Sequence, residues 1–578
     1  MKKYLKYRLF VCLALSALCL TAQVTIDGRR PVYDTRTNTY LLTVPDTVFG
    51  KSYSAPVEFD DSVKWVTING VQVRNVVNFS LVDGDVQYKM NILIGTKIKS
   101  SYLRFTYLPV LSLQGDFSDE YTLGSLDMTM PDENDIRHYN VRVKWAGNTT
   151  SANKHNLHLK FVDSNMEKLD VSFFGLRSDN HWRLDAGTTD MIRIRNKTAH
   201  SLWATFGTKS YYADKQPNAR SYIRGEHVEL FLNGEYNGFF DMAEFLDRKQ
   251  MKLKKYDETQ NKFRGLMWKA KEGTDQTLFS KPLNVDNYAE NCGGFDIMYP
   301  DLDDVSPTNY NVLNSAVTFV SRSSDAIFAA QVGDYFDLPV LIDYYIFMQT
   351  LFAIDNTSKN IIWGCYDSSV DNKLTLSVWD LDATTGQTWY DGPGFYHADE
   401  IQPENDLDSI PRRFTLFAES RLWNRLWGLE DFRQNSISRY WNLRQNVLDP
   451  DSIIAKYEVI FRNLENAGAL KREVERWSGD SDLANRTLDF YGEYDYLCDW
   501  IRRRIAYMDT HTFAYKRGDV DNNGEVNIKD LTTLISYLLT GSGVINTLNS
   551  DANADGEISI SDITAIINII LYGGYAAN

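Results

Sequence analysis

The sequence predicts a multidomain protein with an all-β N-terminal domain, a central α+β domain of two lobes, and a small helical C-terminal domain. A chain of 578 residues is too long for one hydrophobic core. Strand patterns fill its first part, helical patterns its later part, and a loop-and-helix unit repeats near its end. We therefore expect a signal peptide at residues 1–22, a β-sandwich-like domain at 23–112, the central domain at 113–515 and the repeat at 516–575.

The N-terminus has the pattern of an export signal. Lys2 and Lys3 precede an apolar run of about a dozen residues, Leu9 to Leu20, which is too short to span a bilayer. The small residue Ala22 marks the expected cleavage point. No later stretch is apolar over a transmembrane length. We therefore expect a secreted protein, extracellular or held in a cell-surface complex, without a membrane span.

Charge and cysteine content narrow the class of protein further. The formal net charge of -16 argues against nucleic acid as a partner, because such binding needs clustered Lys and Arg. Outside the signal, the cysteines are Cys292, Cys365 and Cys498, an odd and sparse set that is not a disulfide framework. We expect buried thiols with at most one disulfide.

The N-terminal domain reads as strands separated by turns. Residues 40–44 and 63–68 are rich in β-branched and aromatic side chains, and Asn69-Gly70 is a turn signal. No cluster of reactive side chains stands out in this region, so we interpret it as a spacer.

The central domain changes character along its length. Strand patterns such as 141–145 and 228–232 dominate its first half. In the second half, Asp337 can cap a helix that has Pro339 in its first turn, and further helical patterns follow. This order predicts a strand-rich lobe followed by a helix-rich lobe, with a cleft between them.

The C-terminal repeat has the spacing of calcium loops. Its two copies start at Asp519 and Asp551, and each has a glycine at position 6 and an apolar helix after the loop. Calcium takes six to eight hard oxygen ligands, which an EF-type loop supplies at positions 1, 3, 5, 7, 9 and 12. The predicted Ca²⁺ ligands are Asp519, Asp521, Asn523, Glu525, Asn527, Asp530, Asp551, Asn553, Asp555, Glu557, Ser559 and Asp562.

Two features distinguish these loops from ordinary EF-hands. Position 12 is Asp rather than Glu, and no helix leads into either loop. In both respects the segment resembles dockerins, small modules that fold around two calcium ions. The resemblance implies a cohesin-type scaffold protein as partner.

A second cluster of polar residues lies at the ends of a predicted hairpin. Asp355 and Asn360 are five residues apart, residues 361–366 and 373–378 read as paired strands, and Asp380 follows. The hairpin would therefore bring Asn360 and Asp380 side by side. In protein kinases, an Asp of this kind accepts the proton of the substrate hydroxyl. An Asn five residues later and a second Asp after a hairpin hold Mg²⁺.

The central domain resembles the CotH family of atypical protein kinases over roughly residues 113–510. The motifs that carry the resemblance are Gly147-Asn148-Thr149-Thr150 with Lys154 and His158-Leu159-Lys160-Phe161, Trp182-Arg183-Leu184, Arg195-Asn196-Lys197, Asn233-Gly234-Glu235-Tyr236 with Gly238 and Glu244, Gly265-Leu266-Met267-Trp268-Lys269, and Trp379-Asp380-Leu381-Asp382.

The resemblance implies transfer of the ATP γ-phosphate to a protein hydroxyl. It assigns the catalytic role to Asp355 and the Mg²⁺ ligands to Asn360, Asp380 and Asp382. Residues 147–150 would cover the phosphates. The residues expected to contact ATP are Lys154, Glu244 and Lys269.

Three functions are open at this stage. The first is a secreted kinase with a protein substrate, attached through its calcium module. The second is a glycan-active enzyme, since dockerins usually deliver such enzymes and the pair Asp355 and Asp380 could act as acid and base. The third is a non-catalytic adhesion or structural protein that keeps the kinase-like fold.

Overall fold

A computed structural model describes residues 24–147, 152–389, 395–397, 420–481, 487–543, 545–553 and 555–572. The predicted signal peptide lies outside the described residues. So do residues 148–150 of the expected phosphate-covering turn and the last residues of the predicted C-terminal domain, 573–575.

The N-terminal region is a pair of β-sheets around one hydrophobic core. A three-stranded sheet has the order β1-β4-β7 and a six-stranded sheet the order β2-β3-β9-β8-β5-β6. Alternate residues, such as Ala55 and Val57 of β4, are buried, as expected for strands with one face against a core. The strands are β1 Val24–Ile26, β2 Val32–Asp34, β3 Thr39–Thr43, β4 Tyr53–Phe59, β5 Val63–Ile68, β6 Val71–Val73, β7 Val76–Phe79, β8 Tyr88–Ile94 and β9 Lys97–Thr106.

The next seven strands close into a barrel of order β10-β11-β12-β13-β14-β16-β15. Strand β10 crosses the boundary that the sequence predicted at residues 112–113, because Leu111 and Leu113 both fill the barrel interior. Asn233 and Gly234 have positive φ angles and form the tight β15–β16 turn that their sequence predicts. The strands are β10 Val110–Gly115, β11 Thr122–Thr129, β12 Arg137–Ala146, β13 Asn156–Val162, β14 His181–Asp185, β15 Gly225–Leu232 and β16 Glu235–Glu244.

A five-stranded sheet and a set of helices follow the barrel and share one core with helix α1. The sheet has the order β18-β19-β17-β20-β21 and contains β17 Leu266–Ala270, β18 Asn291–Cys292, β19 Phe295–Tyr299, β20 Ile361–Cys365 and β21 Leu374–Val378. A short hairpin pairs β22 Gln387–Trp389 with β23 Phe395–His397. The helices up to residue 507 are α1 Arg195–Phe206, α2 Arg248–Met251, α3 Asn311–Arg322, α4 Asp325–Tyr335, α5 Leu338–Leu351, α6 Arg421–Trp427, α7 Glu430–Arg444, α8 Pro450–Asn466, α9 Ala469–Trp477 and α10 Phe490–Tyr507.

The C-terminal repeat is helical, as predicted. It contains α11 Ile528–Thr540, α12 Thr547–Ser550 and α13 Ile560–Tyr572, which enclose a small apolar core that includes Leu534 and Ile566. Leu548 also packs against the large core of the preceding domain, and Asn546 Nδ2 donates to Gln434 Oε1 of α7 at 2.5 Å. The repeat therefore rests on the domain before it.

Helix α9 joins the N-terminal sheets to the central domain. The buried Arg472 guanidinium forms an ion pair with Glu229 at 2.6 Å and donates to the carbonyl oxygens of Gly84 and Phe105. Gly84 also lies so close to the start of α9 that a Cβ added to it would be 2.3 Å from Gly468 N. Only glycine fits at this contact.

Two expectations from composition are consistent with the fold. Cys292, Cys365 and Cys498 are free, buried thiols. In the part of the chain that the structure describes, no helix is both long and apolar enough to cross a membrane.

We predict that Arg472→Met loosens the attachment of the N-terminal sheets. The substitution leaves Glu229 buried without its ion-pair partner, which costs about 3–5 kcal/mol. Pulse proteolysis in urea should show that the segment between β9 and β10 is cleaved at a lower urea concentration in this variant than in the parent. Lys471→Met is the control, since Lys471 lies on the same helix and its ion pair with Asp85 is long and exposed, so that its loss costs little. Equal urea midpoints for the two variants would contradict the prediction.

Candidate functional site

A cavity of about 340 Å³ lies between the barrel and the hairpin β20–β21. Its lining contains six carboxylates and five cationic side chains, so negative and positive charges are close together there. Barrel strands β12 to β14 and β16, helix α1, strand β17 and the segments flanking the hairpin all contribute to it. Its charged lining residues are Arg183, Asp185, Asp190, Arg193, Lys197, Asp241, Lys269, Asp355, Lys359, Asp380 and Asp382.

Asp355 is held by residues that follow it closely in sequence. It lies in a single 3-10 turn, Ile354–Asn356, after α5. Asn360 Nδ2 donates to Asp355 Oδ2 at 2.7 Å, and Lys359 Nζ donates to the same oxygen at 3.0 Å. The Asn360 backbone N–H donates to Ala270 O of β17, which anchors the loop to the sheet. The five-residue spacing thus closes a loop that orients the carboxylate.

The hairpin register brings the second acidic segment beside this loop. Ile361 of β20 pairs with Val378, the last residue of β21, so Asp380 lies two residues beyond the end of the strand opposite Asn360. Asn356 Nδ2 donates to Trp379 O at 2.7 Å and to Asp380 O at 3.3 Å, which ties the two segments together. Asn356 is a further residue of the site, and its place between Asp355 and Asn360 is the sequence signal that points to it.

Two of the predicted metal ligands have strained backbone conformations. Asn360 has φ +56° and Asp380 has φ +58°, in the left-handed region that Asn and Asp tolerate better than most residues. Such conformations cluster at functional sites, where the surrounding structure must hold them. Asn360 is buried and uses its amide nitrogen on Asp355, so Oδ1 is the atom that could meet a cation.

Burial and repulsion from Asp380 raise the pKa values of two acidic groups of the cavity, Asp355 and Asp382. Burial, followed by the nearby Asp380 carboxylate, raises the pKa of Asp382 to about 7. Burial also raises the pKa of Asp355, and Lys359 partly opposes this effect. Thr189 Oγ1 donates a short hydrogen bond to Asp382. An arrangement of this kind accepts a proton or a cation readily.

Cationic groups face these acids across Trp379. Lys269 Nζ lies 5.5 Å from the centre of the Trp379 ring, and the Arg183 guanidinium lies 5.1 Å from it. Burial lowers the pKa of Lys269, and the attraction of Asp380 opposes the shift. Arg183 is a further cationic residue of the site, and the motif Trp182-Arg183-Leu184 by itself gives it no role. The signal that could have found it is the alternation on β14, where the flanking Trp182 and Leu184 fill the barrel.

Lys154, predicted to contact ATP, lies behind the wall of the cavity, where its backbone carbonyl accepts a hydrogen bond from Thr188 of the lining. Its Nζ donates to Glu473 Oε1 at 2.8 Å and to the carbonyl oxygens of Ala186 and Phe239, and only 1% of it is exposed. Burial lowers its pKa to about 7. Lys154 is not among the described residues that line the cavity. Its environment is that of a lysine that joins the barrel to α9, which the sequence could not reveal.

Glu244, the other predicted ATP contact, is also outside the lining of this cavity. It accepts hydrogen bonds from Arg220 at 2.9 Å and from Arg224 at 3.1 Å. These bonds outweigh the effect of its burial and lower its pKa to about 2. Of the three residues predicted to contact ATP, the structure places only Lys269 at the cavity.

The first calcium loop already has the geometry of a cation site. The two carboxylate oxygens of Asp519 accept from Asn523 N and Gly524 N, at 2.9 and 2.8 Å. Asp530 accepts from Asp521 N and Asn527 N in the same way. Carboxylate oxygens of Asp519, Asp521 and Asp530 lie within 4.8 Å of one another, and hard oxygens of this kind fit calcium.

The second loop repeats this pattern. Asp551 accepts from Asp555 N and Gly556 N, and Asp562 accepts from Asn553 N and Ser559 N. In the first loop, the position-9 residue Asn527 also caps α11. The remaining predicted ligands, Glu525 and Glu557, lie in the same loops. Both loops therefore have a common backbone frame.

Comparison with known families gives two matches. The model described as CotH kinase protein matches residues 142–508, which is more than half of the chain. The model described as Dockerin type I domain matches residues 517–571. Among curated proteins, no relative of this chain matches.

We predict that calcium removal unfolds the repeat and leaves the rest of the chain folded. The loop carboxylates repel one another without a cation, and calcium binding of this kind is coupled to folding. Limited proteolysis with a chelator should therefore cut within residues 516–572, and calcium should restore protection.

Asp519→Asn and Asp551→Asn should each reduce the bound calcium from about two ions to about one. Asp499→Asn is the control, because Asp499 is an exposed residue of α10. A repeat that resists proteolysis equally with and without calcium would contradict the prediction.

We also predict a pH-dependent effect of Asp382→Asn in metal-free protein. The folded-state pKa of Asp382, about 7, lies above the value of about 3.9 for an unfolded Asp. Its stabilising contribution is therefore complete below pH 3.9 and is lost as the pH rises through 7. The melting temperature of the variant, relative to the parent, should rise between pH 5 and pH 8. A difference independent of pH would show that Asp382 does not titrate in this range.

Proposed function

Because the chain belongs to the CotH family and carries a dockerin type I domain, we propose that it is a secreted protein kinase attached to a cohesin-bearing partner. The single observation that supports kinase chemistry best is the cavity that gathers Asp355, Lys269, Asp380 and Asp382. The barrel and the helical part of the CotH domain would be the two lobes, with this cavity between them.

The proposed reaction transfers the γ-phosphate of ATP to a hydroxyl of a protein substrate. The hydroxyl oxygen forms a bond to the γ-phosphorus, and the bond from that phosphorus to the β–γ bridging oxygen breaks, which releases ADP. Asp355 accepts the hydroxyl proton. The raised pKa of Asp355 suits it to this step, since a general base works best when its pKa is near the ambient pH.

The residues that would hold Mg²⁺ are Asp380, Asp382 and, through Oδ1, Asn360. Their oxygen atoms are of the kind that Mg²⁺ prefers. A cation beside Asp380 and Asp382 would offset the repulsion between their two carboxylates. Mg²⁺ held by these residues would neutralise the negative charge that develops on the phosphates during transfer.

Cationic residues of this chain would orient the phosphates. Lys269 and Arg183 lie against Trp379 and face the acidic segment. Lys359 holds Asp355 in place through an ion pair at 3.0 Å. The charged groups of Lys154 and Glu244 have the protein partners Glu473 and Arg220, and contact of these two residues with ATP stays a prediction.

In this proposal, the dockerin determines where the enzyme acts, because it attaches the chain to a partner outside the cell. A dockerin type I domain implies calcium binding and a cohesin partner, and such modules work outside the cell. The predicted signal peptide agrees with this location. We propose that the cohesin partner holds the kinase beside its protein substrates.

We predict that Asp380→Asn and Asp355→Asn have different effects. Asp380→Asn should lower Mg²⁺-dependent ATP affinity about tenfold or more, because a charged ligand is lost. Asp355→Asn should bind ATP almost normally but transfer phosphate about 10² to 10⁴ times more slowly. Calorimetry with full-length protein measures the first effect, and phosphate incorporation into added proteins measures the second.

Asp499→Asn, an exposed substitution on α10, is the matched control for both assays. ATP binding that is equal in parent and Asp380→Asn would contradict the metal assignment. Full phosphate transfer by Asp355→Asn would contradict its role as base. If the parent does not bind ATP at all, the kinase proposal is wrong.

A further inference from the structure

A second cavity, of about 420 Å³, lies at the C-terminal end of α1. Its charged lining is entirely cationic among the described residues, and consists of Arg177, Lys209, Arg220, Arg224 and Lys252. The chain has a formal net charge of -16, so a cluster of five positive charges differs from the average charge of the protein. We call it the basic pocket.

Two acidic side chains, the buried Glu244 and the partly exposed Asp247, hold the arginines of the basic pocket in place. Glu244, with 2% of its surface exposed, binds the guanidinium groups of Arg220 and Arg224 and also accepts from Arg177 N. Asp247 binds Arg177 at 2.8 Å. These contacts hold three arginines in defined positions before any ligand arrives, which reduces the entropy cost of binding.

The cationic groups keep unused donors. Among the described residues, Arg224 forms a side-chain hydrogen bond only through Nη2 to Glu244, and a guanidinium has five N–H donors. Arg177 Nε is buried and has no hydrogen-bond partner among the described residues. Lys209 Nζ makes one long contact, 3.4 Å to Pro217 O. Three acids, Asp179, Glu244 and Asp247, oppose the five cations, so the pocket keeps a net positive charge.

The basic pocket and the catalytic cavity are connected by α1. Lys197, near the start of the helix, lines the cavity, and Ala204 lines the basic pocket. The two residues are seven positions apart in the helix, which corresponds to a rise of about 10 Å. One extended ligand could therefore occupy a surface near both sites.

We propose that the basic pocket binds a phosphate monoester carried on a peptide. Arginine clusters with free donors bind phosphate bidentately. A single phosphate ion is much smaller than 420 Å³, a volume in the range of pockets that hold larger ligands. The choice of a peptide rests on the proposed kinase function, since kinases meet proteins that already carry phosphate. The binding step does not depend on catalysis.

The test measures binding of a phosphoserine peptide to full-length protein without ATP. Fluorescence anisotropy at low salt should show the phosphoserine peptide binding about tenfold more tightly than the same peptide with serine. The double variant Arg224→Gln, Lys252→Gln should lose that preference. Neither residue lies at the catalytic cavity, so ATP binding should be unchanged.

The matched control is Lys168→Gln, Lys281→Gln, which removes the same charge from two exposed sites outside both cavities. Inorganic phosphate should compete with the phosphopeptide, since the phosphate group is what the pocket recognises.

Three results would overturn the proposal: no preference for phosphoserine over serine, an equal loss in the control, or equal binding of a glutamate peptide. Each can occur while ATP binding is normal. A failure of this proposal is therefore distinguishable from a failure of the kinase proposal.

Discussion

The pairing of β20 with β21 is the constraint on which the cavity between the barrel and the hairpin depends. Its register places Asn360 and Asp380 at the same end of the hairpin, and Asn356 links the two segments by hydrogen bonds to backbone carbonyls. A slip of one residue would turn every side chain of the hairpin to the other face. Both strands are fully buried, so packing on both faces opposes such a slip.

Buried ion pairs on α9 connect this cavity to the rest of the chain. Glu473 accepts from Lys154 at 2.8 Å and forms an ion pair with Arg193, which lines the cavity, at 2.7 Å. The adjacent Arg472 reaches Glu229 and the N-terminal sheets. Charges removed from water in this way are stable only when every partner is in place. The helix therefore couples the positions of the N-terminal sheets, the barrel and the cavity wall.

The C-terminal repeat is held together mainly by local interactions, unlike the cavity and α9. Its ligands and its caps come from within each short loop, and the capping box of α11 uses the predicted ligands Asn527 and Asp530. The glycine at position 6 has φ near +90° in both copies, which explains why it recurs. Because these interactions are local, the module needs little from the domain on which it rests. Local interactions of this kind are expected in a small calcium-binding module.

The sequence by itself determined the features that depend on short spacing. The calcium loops, the Asp355–Asn360 loop, the β15–β16 turn and the succession of β-rich and helical regions were all predictable, because neighbouring residues form them. Only the tertiary structure decided the partners of Lys154 and Glu244. Glu473 lies 319 residues from Lys154, and the arginines on Glu244 come from a separate segment. A lone lysine or glutamate in a strand has the same local pattern whether it meets a ligand or a buried counter-charge, so its role is set by burial and by distant neighbours.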